Sequence, residues 1–141
     1  MSLLRIFDVA GSAVSAQSQR LNTVASNLAN VDSVAKPDGS TYKARQVVFS
    51  TVMMGAGTTL ASRDASAGVR VSAVTESQEP ARRVRDPAHP NADAEGYVTY
   101  SNVNAVDEMV NMMSASRSYQ NSIEVMNTAR SLLLKTLQIG Q

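Results

Sequence analysis

The chain has 141 residues and a formal net charge of +1, and its 13 Lys and Arg residues are scattered, so nothing in the charge indicates a nucleic-acid partner. Apolar residues make up 43% of the sequence but aromatic residues only 4%, which predicts a core of Ala, Val, Leu and Met suited to helix packing. The absence of Cys excludes disulfides, thiolate catalysis and cysteine-ligated metals.

The sequence contains no segment typical of membrane insertion or of cleaved secretion. No apolar run approaches the roughly 18 residues that cross a bilayer. The first residues, MSLLRIFDVAGS, lack a basic stretch ahead of their apolar residues, so we expect no cleaved signal peptide. A protein of this kind that works outside the cytoplasm would have to leave by another route.

The first predicted element is one long helix from about Ser2 to Val31, because its apolar residues recur at alternating steps of three and four. Two series spaced seven apart form one seam, interrupted by Gln17. These series are Phe7, Val14, Leu21 and Leu28, and Leu3, Ala10, Gln17, Val24 and Val31. The other faces carry small polar residues, which indicates close packing against neighbours. They are Ser12, Ser15, Ser18, Asn22, Thr23, Ser26, Asn27 and Asn30.

The central part of the chain is predicted to be a small β-rich insert. Pro37, Asp38 and Gly39 indicate a turn, and the run from Gly55 to Gly57 indicates a flexible tip. Four short runs have strand character, namely QVVFS, GVRVSAV, ARRVR and GYVTY. The stretch DPAHPNADAEG holds two prolines and is therefore expected to be an extended loop with turns.

The last predicted element is a helix from about Asn104 to Ile139, with Asn102 or Asn104 as its cap and Gly140 as its stop. Its seam is again a pair of heptad series. They are Met109, Ser116, Ile123, Arg130 and Leu137, and Met112, Tyr119, Met126 and Leu133. Polar residues on its other faces are expected either to be solvated or to bind neighbouring subunits. They are Asn111, Arg117, Gln120, Asn121, Glu124 and Asn127.

These elements predict an α+β fold in which two long terminal helices pack as an antiparallel coiled-coil-like pair around a small β-rich insert. Residues 1–35 and 102–141 form the two halves of the helical core, and residues 36–101 form the insert. A lone helix pair cannot cover all of its apolar faces, so we expect lateral packing against other chains.

Three groups of residues have the composition of possible chemical sites, but none of the three predicts such a site. Asp86, His89 and Asp93 have a spacing that suits a metal or acid–base pair, but the same carboxylates can bind turn amides, and no second His completes a zinc site. The glycines near residue 55 lack the Lys of a phosphate loop. Arg82, Arg83 and Arg85 indicate a charged strand edge, or less favourably a surface for an acidic partner. We therefore expect no enzyme, no cofactor, no metal and no small-molecule substrate.

Both ends of the chain resemble the family of flagellar rod and hook proteins. The segment ASNLANVDS at 25–33 resembles the N-terminal signature of that family, and AQSQRLN at 16–22 is similar to its lead-in. The segments NVNAVDEMVNMM, ASRSYQ, NTAR and LKTL after residue 101 are similar to a proximal-rod member, as are DPAHPNAD at 86–93 and the following GYV. Two positions depart from the pattern, since Ser33 replaces a usual Thr and Ser101 an expected Pro, which leaves the start of the last helix open.

The resemblance implies a structural subunit of the proximal rod that is exported through the flagellar type III apparatus, without a cleaved signal peptide. It further implies assembly with itself, with proximal and distal rod proteins and with the rod-to-ring adaptor into a hollow drive shaft across the periplasm. The alternative is a soluble helical adaptor or binding module of the export system.

Sixteen residues, most of them on the two seams, are the predicted assembly interface. They are Leu3, Phe7, Val14, Leu21, Val24, Asn27, Leu28, Asn30, Val31, Met109, Met112, Tyr119, Ile123, Met126, Leu133 and Leu137.

Overall fold

The computed structural model describes residues 3–36, 38–54 and 66–139. They form α1 (Leu3–Ala29), β1 (Arg45–Met54), β2 (Ser66–Glu76), β3 (Arg82–Arg85), β4 (Tyr97–Tyr100) and α2 (Ala105–Ile139). Both terminal helices and all four strand runs are where the sequence predicts them, which confirms the α+β class. The predictions about Pro37, about Gly55 to Gly57 and about Gly140 lie outside the described residues.

The two longer strands, β1 and β2, pair in antiparallel fashion, and Arg45 at one end lies opposite Glu76. The register shifts between Val48 and Phe49, which leaves Ser72 of β2 without an opposite residue. The Ser72 hydroxyl instead donates to the Val48 carbonyl at 3.0 Å. Such a bulge increases the twist of a strand pair, and here it lies at the middle of the hairpin.

The two short strands, β3 and β4, form a second antiparallel pair, and a bridge between Val34 and Tyr100 adds the segment after α1 to its edge. Arginines of β3 lie over aromatic rings of β4, with the Arg82 guanidinium 5.2 Å from the centre of the Tyr100 ring. The Arg83 guanidinium lies 4.9 Å from the Tyr97 ring. All four residues of β3 are exposed, so these arginines cover the tyrosine rings and remain in solvent.

Helix α1 contacts α2 on one side and the β1–β2 pair on another. Only a narrow line of its residues is therefore exposed, including Asp8, Ser15, Asn22 and Ala29 at seven-residue spacing. Part of the small polar face packs against the hairpin, because the Ser12 hydroxyl accepts a hydrogen bond from the Val69 amide at 3.1 Å. The close neighbour predicted for this face is thus partly the chain's own insert.

The two helices pair directly, and their contacts run in opposite directions along the chain. The Arg20 guanidinium donates to the Asn111 side-chain oxygen at 3.2 Å, whereas Val9, about three turns earlier, lines a groove together with Ser122 and Val125. This order fits two helices of opposite direction. Regular coiled-coil geometry along the pair stays a prediction.

The core of the described chain is thin and built from small side chains. Its buried apolar residues are Ala10, Ala16, Val24, Val98, Val103, Ala115 and Ala129. Four of these seven are alanine, which allows the backbones of the two helices to approach closely but removes little apolar area from water per residue. The larger Met, Leu, Ile and Val side chains of α2 are mostly left at the surface.

Candidate assembly surface

A fully buried amide, that of Asn27, joins the end of α1 to the start of β1. Its side-chain oxygen accepts from the Arg45 amide at 2.9 Å and from the Tyr42 hydroxyl at 3.0 Å, and its nitrogen donates to the Arg45 carbonyl at 2.8 Å. Its relative exposure is 0%. Asn27 was predicted to lie in the assembly interface, but in this structure its side chain is engaged within the subunit.

Tyr42 supplies one of the donors in this arrangement. Burial raises the pKa of the Tyr42 hydroxyl above its ordinary value, because the phenolate is poorly solvated there, although the nearby Arg45 charge acts in the opposite direction. The hydroxyl therefore keeps its proton at neutral pH and remains a hydrogen-bond donor to Asn27.

The segment before α2 is tied to the segment after α1 by Ser101, whose relative exposure is 0%. The Ser101 amide donates to the Ser33 carbonyl at 3.0 Å and its hydroxyl donates to the Val31 carbonyl at 2.8 Å. A proline at this position would have neither donor. The departure from the family pattern at Ser101 is thus accompanied by two hydrogen bonds that hold the junction.

The two candidate cap residues of α2 have different roles. The Asn104 side chain accepts from the Val106 amide at 3.0 Å and is the cap, so α2 begins at Ala105. Asn102 instead links two loops, since its oxygen accepts from the Ala44 amide at 2.7 Å and its nitrogen donates to the Glu79 carbonyl at 2.9 Å. The start of the helix, left open by the sequence, is set by Asn104.

The carboxylates weighed as metal ligands stabilise turns. One Asp93 oxygen accepts from the Glu95 amide at 3.0 Å and the Tyr97 amide at 2.8 Å, and the other pairs with Arg83 at 2.7 Å. These bonds, the one from Tyr97 first, hold the pKa of the Asp93 carboxyl below its ordinary value.

The other two residues considered as metal ligands, Asp86 and His89, also bind backbone amides of the turn. An Asp86 oxygen accepts from the Ala88 amide at 3.2 Å and the His89 Nδ1 accepts from the Asn91 amide at 3.1 Å. Residues 3–36, 38–54 and 66–139 contain no group of three or more His, Cys, Asp or Glu side chains placed to hold a metal ion.

One line of α2 faces the rest of the subunit, and we call it the inner stripe. It advances by alternating steps of three and four residues, and none of its nine members is exposed. They are Ala105, Glu108, Met112, Ala115, Tyr119, Ser122, Met126, Ala129 and Leu133. One predicted heptad series, from Met112 to Leu133, belongs to this stripe.

The other predicted series of α2 faces away from the subunit. It belongs to a second line of ten residues, the outer stripe, which is rotated by about 100° from the inner stripe because each member is one residue further along. The outer stripe consists of Val106, Met109, Met113, Ser116, Gln120, Ile123, Asn127, Arg130, Leu134 and Leu137. All but Ser116 are exposed, and six of the ten are apolar.

The predicted interface residues therefore divide into two groups. On α1 and in the two residues that follow it, Val24 is buried and six others are half-buried, while the side chain of Leu3 lies outside the described part. The half-buried six are Phe7, Val14, Leu21, Leu28, Asn30 and Val31. On α2, Met112, Tyr119, Met126 and Leu133 are half-buried on the inner stripe. The fully outward-facing members are Met109, Ile123 and Leu137, with 55%, 36% and 62% of their surface exposed.

A polar cavity of about 450 Å³ lies where α1, β1 and the first turns of α2 meet. Its lining includes Arg20, Arg45, Glu108 and Asn111. Glu108 is 8% exposed, and its Oε2 atom is buried without a hydrogen-bond partner. The sequence predicted no functional role for Glu108. Its position four residues before Met112, on the inner stripe, is the signal that could have identified it as buried.

The helices in the described part of the chain were also compared with the length and apolarity that a membrane span requires. None of them meets both requirements.

Two family models match the ends of the chain. The model described as "Flagella basal body rod protein" matches residues 7–35, which hold most of α1 and the segment after it. The model described as "Flagellar basal body rod FlgEFG protein C-terminal" matches residues 94–139, which hold β4 and α2. The two terminal helices are thus the parts of the chain that the family models match.

Relatives that match over their full length identify the family more narrowly. The chain is 57% identical over 141 residues to the flagellar basal-body rod protein FlgC of Salmonella typhimurium and 55% identical to that of Yersinia enterocolitica, with all of both chains covered in each case. It is 33% identical over 145 residues to the FlgC of Buchnera aphidicola subsp. Baizongia pistaciae, again with full coverage. The chain therefore belongs to the FlgC family of flagellar basal-body rod proteins, a family of structural rod subunits rather than enzymes.

Proposed function

We propose that this chain is a subunit of the proximal rod and packs against neighbouring rod subunits through the outer stripe of α2. The exposure of that stripe is the observation that carries the proposal. Met113 is 56% exposed and Leu134 is 51% exposed, on the same line as the still more exposed Val106. An apolar stripe of this length on one helix is typical of a surface that is buried on association.

The total surface area supports the same proposal. A compact monomer of 15.0 kDa exposes roughly 7,000 Å² by the usual scaling with mass, whereas this chain exposes 9880 Å². The excess fits a subunit that completes its burial against other chains. An adaptor that works as a folded monomer would be expected to cover both stripes of α2, and here only the inner stripe is covered.

A shaft built in this way would place the two helices in its inner layer and the strands of residues 36–101 in its outer layer. The contacts between different surfaces of successive subunits would be heterologous, and they would extend along a helix without closing. We propose other proximal and distal rod proteins, the rod-to-ring adaptor and further copies of the chain as neighbours. Export through the flagellar type III apparatus would bring the subunit to the rod.

The proposal is tested by placing a charge on the outer stripe. We expect Met113→Glu, expressed from the chromosomal locus, to abolish motility and complete rods in electron micrographs of isolated basal bodies, because a carboxylate cannot be buried unpaired between subunits. The matched control is Ser114→Glu, which is exposed and lies on neither stripe. Circular dichroism of the two purified variants should agree.

Two outcomes would contradict the proposal. Complete rods in Met113→Glu cells would show that the outer stripe is not buried in the rod. Normal rods after deletion of the gene would remove the structural role altogether, and the adaptor alternative would replace it.

A further inference from the structure

The polar cavity between α1, β1 and α2 contains hydrogen-bonding groups that the subunit itself does not satisfy. The Oε2 atom of Glu108 is buried without a donor. In the described part of the chain the Arg20 guanidinium bonds to the neutral side-chain oxygen of Asn111. Arg45, in contrast, is paired with Glu76 at 3.6 Å and lies over the Tyr42 ring. A buried carboxylate oxygen without a donor is costly, so a missing group is indicated.

The charges that line the cavity define what that group must be. Two guanidinium groups face one carboxylate there, so an incoming cation is disfavoured, and an anion has no proton to donate to Glu108. A neutral group that is both donor and acceptor fits both demands. A carboxamide has this chemistry, because its nitrogen donates to a carboxylate while its oxygen accepts from a guanidinium.

The outer stripe of α2 carries carboxamides that have the opposite need. Gln120 and Asn127 lie on that stripe, are exposed, and are flanked by the apolar Met113, Ile123 and Leu134. When the stripe is covered by a neighbour, these amides lose water and require partners. Gln120 lies near the middle of the stripe and has the longer side chain of the two.

We propose that the Gln120 side chain of one copy of this chain enters the polar cavity of the next copy, donating to the Glu108 carboxylate and accepting from Arg20. The inference rests on the proposed function, since it assigns a contact to the outer stripe. It gives the subunit two different contact surfaces. One is the Gln120 side chain on α2, and the other is the polar cavity beside the start of α2, which we call the socket. Such a pair is heterologous, so it repeats from copy to copy.

The absence of native Cys allows a direct test with introduced cysteines. Thr23 lines the cavity, so we expect the Thr23→Cys, Gln120→Cys double variant to give covalent dimers and longer ladders of this chain when isolated basal bodies are oxidised. Either single variant should give no ladder. Thr23→Cys with Asn127→Cys, displaced by about two turns of α2, should give at least tenfold less.

Motile cells without a ladder would overturn the proposal. A cross-link to a different rod protein would overturn the second copy as the occupant of the socket.

A second variant covers the case in which the cysteine pair does not assemble. Glu108→Met keeps the shape of the side chain but removes the acceptor, so the free chain should unfold at an equal or higher denaturant concentration while the swimming rate falls at least tenfold. The matched control, Glu124→Met, changes an exposed carboxylate on the same helix and should leave both unchanged.

Normal swimming by Glu108→Met would overturn the socket, and so would a loss of swimming that is accompanied by a less stable free chain. The wild-type gene is tested in the same deletion strain. Rods formed with Glu108→Met would therefore reject the socket alone, while rods formed without the gene would reject the rod function.

Discussion

Asn27 is the clearest example of a single side chain that organises this fold. It lies in the last turn of α1, and both polar atoms of its side chain bond to the segment that leads into β1, so that the backbone of Arg45 is held on both its amide and its carbonyl. An asparagine pairs with a backbone in this way because its amide matches the donor and acceptor of a peptide unit.

We expect Asn27→Ala to lower the free energy of unfolding by roughly 2–4 kcal/mol, because it removes three part-buried hydrogen bonds to Arg45 and Tyr42. Asn22→Ala, at an exposed position of the same helix, should change it by less than about 0.5 kcal/mol. Urea denaturation of the purified proteins measures both. Equal stabilities would show that the three hydrogen bonds contribute little.

Asp93 provides a residue-scale prediction about acid. Its pKa in the folded chain lies below the ordinary value of 3.8, so the carboxylate adds stability above that pH, and this stability is lost as the pH falls through the lower folded value. Protection of the Tyr97 amide from hydrogen exchange should therefore stay constant from neutral pH down to about 4 and decrease below it.

Two controls show whether the change in Tyr97 protection comes from Asp93. Asp93→Ala should reduce protection of Tyr97 at every pH. The Ser101 amide, which donates to a backbone carbonyl, should show no such step. A Tyr97 protection that is flat into strong acid would contradict the assignment.

The loop between β3 and β4 depends on the conformation of one glycine. Gly96 has a φ of +78°, and a Cβ placed there would lie 3.1 Å from the Pro87 Cγ atom. Gly39 has a φ of +80° but no atom within 4 Å of such a Cβ. The two positions thus separate the cost of the left-handed backbone from the cost of the close contact.

We expect Gly39→Ala to destabilise the chain by about 1–2 kcal/mol through backbone strain alone. Gly96→Ala should cost about 1 kcal/mol more, since the Pro87 ring is rigid and cannot move away without distorting the turn. Thermal and urea unfolding of both variants gives the comparison. Equal losses would show that the contact with Pro87 relaxes freely.

The helix α2 shows why apolar spacing did not identify its contact face completely. Its Met, Ile and Leu residues follow two neighbouring stripes. The inner stripe, which also contains Ala115 and Ala129, packs inside the subunit. Alanine permits close approach of α1, whereas the larger Met109 and Leu137 remain outside. Periodicity predicts that a stripe exists, but which stripe finds a partner depends on where the partner lies.

At the scale of the whole molecule, the order of the elements was predictable and their mutual contacts were not. Helix lengths follow from heptad patterns that continue without proline, and the four strands follow from short β-branched runs between turn residues. The hydrogen bonds of Asn27 and Ser101 join residues far apart in the sequence, and Glu108 lines a cavity with residues of α1 and β1. No local pattern contains such pairs, so the polar cavity could be found only from the folded chain.

The hydrogen bonds of Asn27, Asn102 and Ser101 have a consequence for the evolution of this chain. They hold together the place where the polypeptide leaves the helix pair and the place where it returns. The residues between these points therefore form a module whose two ends are held together. The length and the surface of this module can diverge without displacing either helix. The β1–β2 pair packs against α1, so divergence should be tolerated first on the surface of the module that does not face that helix.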